Sequence, residues 1–234
     1  VQGANVFGPE CDVEQPDLSR TERETWLFRN SFKYQLNEGS RLLGKFNHSD
    51  STSSLGSFFD GGFTEAVVGY AVRPVTHDRL NVLAKYTYFY NMPTTDVQGR
   101  QNIAIEFLQK SHVASVDVTY DLTHNFTIGG KYAHRLGQVS LDRENPEFFD
   151  NNASLYVVRG DYRFRENWEF LVEGRMLAMA DIDEQRSGLL AVVSRYIGDN
   201  LKVGLGYNFT DFSDDLTDLN YDHQGVFLNL TGSL

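Results

Sequence analysis

The sequence predicts an all-β fold, an antiparallel up-and-down transmembrane β-barrel with eleven visible strands and about twelve in the intact barrel. Three observations carry this reading. Apolar and polar residues alternate over most of the chain: Tyr156, Val158, Gly160, Tyr162 and Phe164 fall on one parity and Arg159, Asp161 and Arg163 on the other. No helical or continuously apolar segment exists to cover the apolar faces that this alternation creates, so those faces are expected to meet lipid. Connections between the alternating segments are by turns short and long, as in barrels that cross a membrane.

Residues 1–22 lack periodicity and carry Pro9 and Pro16, which predicts an N-terminal linker or extracellular loop segment ahead of a barrel over 23–234. The first strand is expected near 24–36, with Trp26, Phe28, Phe32 and Tyr34 on one face and Arg29, Ser31 and Lys33 on the other. Asn37-Glu38-Gly39 turns the chain into a second strand near 40–49, where Leu42, Gly44 and Phe46 oppose Arg41, Lys45 and Asn47. The third, near 62–73, sets Ala66, Val68, Tyr70 and Val72 against Glu65 and Arg73, and Pro74 ends it because proline cannot donate to a ladder. The fourth, near 79–91, repeats the pattern from Leu80 to Tyr90 with Lys85 on the polar side.

Strands follow near 111–122, with Asp117 and Asp121 on the polar side, and near 125–138, with Lys131 and Arg135 there. The segment 153–164 and the next from Trp168 form a hairpin whose polar side carries Glu169, Glu173 and Arg175. A ninth strand near 186–197 is apolar at both parities, a tenth near 200–211 restores the alternation with Lys202 on the polar side, and the last runs from Val226 to Leu234. Short connections near 37–40, 74–78, 123–125, 165–167 and 198–200 alternate with long ones near 50–61, 92–110, 139–152, 179–185 and 212–223. Placing the short turns in the periplasm sets the long loops and residues 1–22 outside the cell and the C-terminus on the periplasmic side. Bacterial barrels usually have even strand numbers, so an odd count predicts a further ascending strand upstream.

Composition agrees. Mean hydropathy of −0.39 argues against helical spans and no run approaches the roughly 18 consecutive apolar residues that one needs, while alternation lets a barrel hide its apolar surface in a low average. A net charge of −11 excludes a nucleic-acid binder, which needs a basic footprint. Cys11 is the sole cysteine, so disulfides do not build the fold. Trp26, Tyr34, Tyr88, Tyr90, Phe126, Phe164 and Trp168 sit toward strand ends, where two aromatic girdles at the lipid interface would place them.

Three stretches carry a resemblance: 54–93, 115–137 and above all GDNLKVGLGYNFTDFSDDLTDLNYD at 198–222. Over residues 24–234 the chain resembles the C-terminal barrel domains of large, repeat-bearing outer-membrane proteins of Gram-negative bacteria. The resemblance implies an outer-membrane barrel that anchors or displays upstream domains of one precursor, and it supplies no catalytic residues. The partners it implies are outer-membrane lipid, lipopolysaccharide and, during insertion, the barrel-assembly machinery. No cofactor is expected.

The polar faces together predict a basic lumen wall of Arg29, Lys33, Arg41, Lys45, Arg73, Lys85, Lys131, Arg135, Arg159, Arg163, Arg175 and Lys202. Facing them are Glu65, Asp117, Asp121, Asp161, Glu169 and Glu173. Such a wall makes either an interior salt-bridge network or a small porin-like, anion-favouring pore. Asp214, Asp215, Asp218 and Asp222 offer hard oxygen ligands, but their spacing does not match an EF-hand, and a solvated acidic loop is the plainer expectation. His112 and His134 share the outward parity on neighbouring strands, which leaves a rim-located lipase open. No G-x-S-x-G nucleophile motif accompanies them, so the expectation is a protein that is not an enzyme. A soluble β-sandwich binding module is the remaining alternative, and it requires the aromatic faces to pair internally.

Overall fold

The computed structural model describes residues 22–53, 61–91, 108–141, 145–165, 167–198, 201–217 and 224–232. Twelve strands form one sheet: β1 Arg23–Asn37, β2 Ser40–Ser53, β3 Gly61–Val72, β4 Leu80–Tyr90, β5 Leu108–Thr123, β6 Phe126–Ser140, β7 Phe149–Asp150, β8 Ala153–Arg163, β9 Trp168–Met179, β10 Glu184–Ile197, β11 Leu201–Asn208 and β12 Gly225–Gly232. Every pairing is antiparallel, and apart from β7, which pairs β6, the strands lie side by side in chain order. This is the up-and-down fold that the hydrophobic alternation predicts. A sandwich needs two packed sheets, and the single path from β1 to β12 removes that alternative.

Antiparallel register puts partners on one face, so the pairings test the parity of each strand against its neighbour. They agree across the sheet. Lys45 opposes Val67, which opposes Thr87, which opposes Val113, and on the other face Tyr70 opposes Ala84, which opposes Val116 and then Tyr132. The second face is the exposed one: Trp26, Val68, Val158, Val172, Leu205 and Val226 are each more than half exposed. So broad an apolar surface exceeds the patches that soluble monomers carry. At Gly44 the ring of Phe32 lies where a Cβ would stand, 2.0 Å from the nearest ring atom, so the glycine lets an outward aromatic cover the strand beside it.

The sheet counts twelve strands because the two-residue β7 adds to the eleven on the main path; the upstream strand that the odd count predicts lies outside the described part of the chain, as do residues 1–21. Since the path from β1 to β12 takes ten antiparallel steps, its two edge strands point the same way, and they do not pair among the described residues. Cys11, Asp218, Asp222 and Leu234 also lie outside it.

Two boundaries differ from expectation, each for a local reason. The β9–β10 connection is not long: the pairing of Met179 with Glu184 leaves only the 3-10 turn Ala180–Ile182 and Asp183, which takes a left-handed conformation at φ 51°. Strand β11 stops at Asn208 instead of reaching 211, because after Phe209, whose N–H still donates to the Leu189 carbonyl, the chain leaves the sheet and turns inward. No helix among the described residues is long and apolar enough to cross a membrane.

Candidate functional site

The inward turn builds the site. Thr210 is fully buried, and its N–H donates to Asn208 Oδ1 at 3.0 Å. It lies against Gly188, where a Cβ would stand 2.2 Å from Thr210 Oγ1, so only glycine on β10 lets the segment enter. Beyond it, Phe212 and Leu216 are buried in one cluster with Phe89 of β4, Val113 of β5, Ala133 of β6 and Ala153, Leu155 and Val157 of β8. Leu177 and Met179 of β9 pack against the same cluster. Residues from five consecutive neighbours in the sheet thus converge on a connection that leaves β11, which requires the sheet to curl with its polar-parity face inside.

Polar contacts fix the segment at mid-height. Lys85 Nζ lies 3.0 Å and Lys131 Nζ 3.8 Å from Asp215 Oδ2. Lys131 also donates to the carbonyl of Asp214, and Arg175 Nη1 donates to the carbonyl of Phe212 at 3.2 Å. Arg186 Nη1 lies 3.6 Å from Asp211 Oδ2 nearer the rim. Segment 210–217 is therefore a plug across the β4–β10 side of the lumen, and the solvated acidic loop expected there is replaced by an inward anchor. Among the described residues no three His, Cys, Asp or Glu side chains gather as a metal would need.

Burial pushes the Asp215 carboxyl up, but hydrogen bonds from the Thr217 N–H and Oγ1 and the charges of Lys131 and Lys85 outweigh it and hold it below the usual carboxylate range. The sign of the pH effect follows. The unfolded chain takes up this proton first, so the contact contributes fully above the ordinary Asp value of about 3.9 and is lost as pH falls through the lower folded value. Asp215→Asn is expected to lower the urea midpoint at pH 7, with the difference from the parent vanishing in acid below the ordinary range. A difference that persists unchanged at pH 2 would refute the assignment.

The remaining wall divides into two halves. On the plugged side most charges are matched: Arg175 with Glu173 at 2.5 Å, Arg159 with Asp161 at 3.0 Å, and Lys202 with Glu169 at 2.6 Å, the last carboxylate also accepting from Tyr196 Oη. Asp121 accepts from Thr127, and Arg135 donates to Asn151 Oδ1 at 3.2 Å. Arg163 ends β8 exposed. On β1–β3 the wall is different. Arg29, Lys33, Arg41, Lys45 and, just past β3, Arg73 are exposed, and Glu65, bound to Lys45 at 2.8 Å, is the one inward-facing acid on the described part of those strands. Arg41 donates to Gln35 Oε1 and Arg73 to the carbonyl of Asp78. Arg41, Arg73 and Asp117 line a cavity of about 430 Å³ at the short-turn end.

On the outward face Tyr34, Trp26, Phe164 and Trp168 are exposed, while Tyr88, Tyr90 and Phe126 are half-buried by neighbouring side chains. At the short-turn end a chain of ring contacts runs from Phe126 through Tyr162 and Phe164 to Phe170, at 6.2–6.5 Å between centroids. His134 Nδ1 lies 2.9 Å from Ser154 Oγ and His112 Nδ1 2.6 Å from Tyr86 Oη. No carboxylate orients either ring among these contacts, so the triad logic of a lipase is incomplete.

Periodicity does not find the apolar cluster, because periodicity assigns inward positions to polar residues. Two traces were in the sequence: Leu155 and Val157 make 155–158 apolar at both parities, and Phe212 and Leu216 interrupt an acidic run.

A single antiparallel sheet of hairpins, apolar outside and carrying a charged wall inside, defines the up-and-down β-barrel class. Among solved structures the chain is similar to a chain of the FpvAI–pyocin S2 complex, with TM-score 0.52 and 9% identity, over 80% of this chain and 34% of that one. It is also similar to the NanC porin (TM-score 0.49, 10% identity, 92% of this chain and 97% of that one) and to the Pseudomonas putida toluene transporter TodX (TM-score 0.41, 12% identity, 80% and 72%). At these identities the likeness is one of fold, and this chain spans about a third of the first at 34%. No family model and no curated protein matches the chain.

Proposed function

We propose that this chain is an outer-membrane β-barrel that offers a narrow, anion-favouring path along β1–β3, beside the part of the lumen that segment 210–217 occupies. The observation that carries it is the asymmetry of the wall: of the seven wall cations on the β4–β11 side five, Lys85, Lys131, Arg159, Arg175 and Lys202, are matched by acids or by the plug, whereas on β1–β3 Arg29, Lys33, Arg41 and Arg73 face the interior without a carboxylate partner among the described residues and only Lys45 has one. Uncompensated Arg and Lys in a water-filled pore favour anions. In planar bilayers under a salt gradient the reversal potential is expected on the anion side, and Arg41→Glu with Arg73→Glu is expected to move it toward or past zero. A cation-side potential in the parent, or no response to the double substitution, would refute the path.

A second reading is an anchor or display barrel for upstream domains of a larger exported protein. The buried cluster around Phe212 and Leu216 supports it, since a filled lumen suits a membrane anchor better than a wide pore. Insertion of the full chain without measurable conductance, before and after removal of the plug, is the result that favours this reading. Both readings place the protein among outer-membrane lipid and lipopolysaccharide, delivered by the barrel-assembly machinery, with long loops extracellular and the C-terminus periplasmic. Both give it no catalytic role.

A further inference from the structure

We infer that the outward face of β3–β6 binds one phosphorylated glycolipid of the outer leaflet, its acyl chain in an apolar groove and its phosphate at Lys110 and His112. The inference rests on the membrane reading and goes beyond it, because general solvation by lipid needs no particular site.

The groove comes from side-chain size. In register, Tyr70 opposes Ala84 and Tyr86 opposes Ala114, so two small residues make a floor between aromatic walls, with Tyr132 closing the far side. The resulting hollow, about 380 Å³, is lined almost wholly by carbon and lies at the lower end of the range for ligand pockets. Following β5 toward the long connections, a second hollow of about 750 Å³ opens, lined by Lys110, His112, Tyr88, Gln138, Asp150 and Asn152. His134 borders the first hollow and His112 the second, and Tyr86 of the first binds His112 of the second. Ala114 and Lys110 are four residues apart on one strand, an offset of roughly 13 Å, so the two hollows succeed one another as chain and headgroup of a single amphiphile do.

Charge singles the place out. Among the outward positions of the long strands only Lys110 and Arg195 are Lys or Arg. Arg195 lies over Trp168, 5.4 Å from the ring centroid, at the opposite end of the sheet. Lys110 is therefore the one outward Lys or Arg at the long-connection end among the described residues. Its Nζ lies 4.2 Å from the centroid of the Phe148 ring and has no ion-pair partner among the described residues. The carboxylate in this hollow, Asp150, accepts from Gln138 Nε2 at 2.9 Å. Asn152 donates its N–H to Asp181 and accepts from the N–H of Gly137. A lone cation and a histidine above a carbon-lined trough complement a phosphate carried on acyl chains, and the trough gives free phosphate nothing to bind.

The test uses the full chain, purified from a Gram-negative outer membrane in mild detergent, with retained lipid A counted by native mass spectrometry. The parent is expected to keep about one lipid A per chain. Lys110→Glu with His112→Ala, and separately Ala114→Phe, which fills the groove, are each expected to weaken retention about tenfold, the scale of one charge-assisted contact or one filled subsite. Arg195→Glu is expected to change nothing. Inorganic phosphate or myristate that competes as well as lipid A, or equal retention by all four proteins, overturns the site. Heat-modifiable gel migration separates the two levels: normal migration with unselective lipid loss refutes the site alone, whereas a chain that is monodisperse without detergent refutes the membrane reading together with it.

Discussion

Single-channel conductance is expected to rise severalfold when Phe212→Ala and Leu216→Ala are combined. Both side chains are buried against Phe89, Val113, Leu155 and Val157, and they are the apolar anchors that hold 210–217 across the lumen. Truncating a buried Phe costs about 3–5 kcal/mol and a buried Leu about 2–5 kcal/mol. The polar contacts left behind, Lys85 and Lys131 on Asp215 and Arg175 on the Phe212 carbonyl, contribute about 1–3 kcal/mol each at most. They lose part of that once water reaches them, because screening weakens exposed pairs. Apolar anchoring therefore outweighs ionic anchoring, and its loss releases the segment. Gly188→Val gives the same outcome by another route: a Cβ there would stand 2.2–2.7 Å from Thr210 side-chain atoms at the point where the segment enters. Unchanged conductance in both variants, with protease sites in 210–217 still protected, would show that the plug does not control the path.

The second large effect concerns the outward face. Val172→Arg, at the middle of β9 and about half exposed, is expected to destabilise the protein in vesicles by about 2–4 kcal/mol, because a guanidinium at the bilayer midplane must be drawn toward water or solvated by a lipid defect. Thr119→Arg is the comparison. Thr119 opposes Gly129 on the inward face, on the same strand and the same side as Asp117 and Asp121, so an added cation there meets water and carboxylates and is expected to change stability by less than about 1 kcal/mol. Reversible urea titration in phosphatidylcholine vesicles reads both. Equal effects of the two substitutions would mean that the faces do not differ in solvent.

The apolar alternation made most of the fold legible. Tyr86, Val118 and Val172 fall on the outward face where parity places them, and all eleven long strands are present near their expected positions. Parity was blind to length at the ends, since nothing in the residues 179–185 says that Met179 pairs Glu184 and shortens the connection. It was also blind to the plug. The charges Asp214 and Asp215 read as a solvated loop because their partners, Lys85 and Lys131, are 130 and 84 residues away from Asp215 in the chain.

By itself the sequence determined which face of each strand is apolar, because side chains alternate strictly along an extended backbone and the choice is local. The tertiary structure alone decided what fills the inside. Whether Arg175 meets a carbonyl or water, whether Gly188 admits Thr210, and whether Phe212 is a loop residue or a core residue depend on how far the sheet curls. Curl is a sum over every strand pair, and no single segment encodes it.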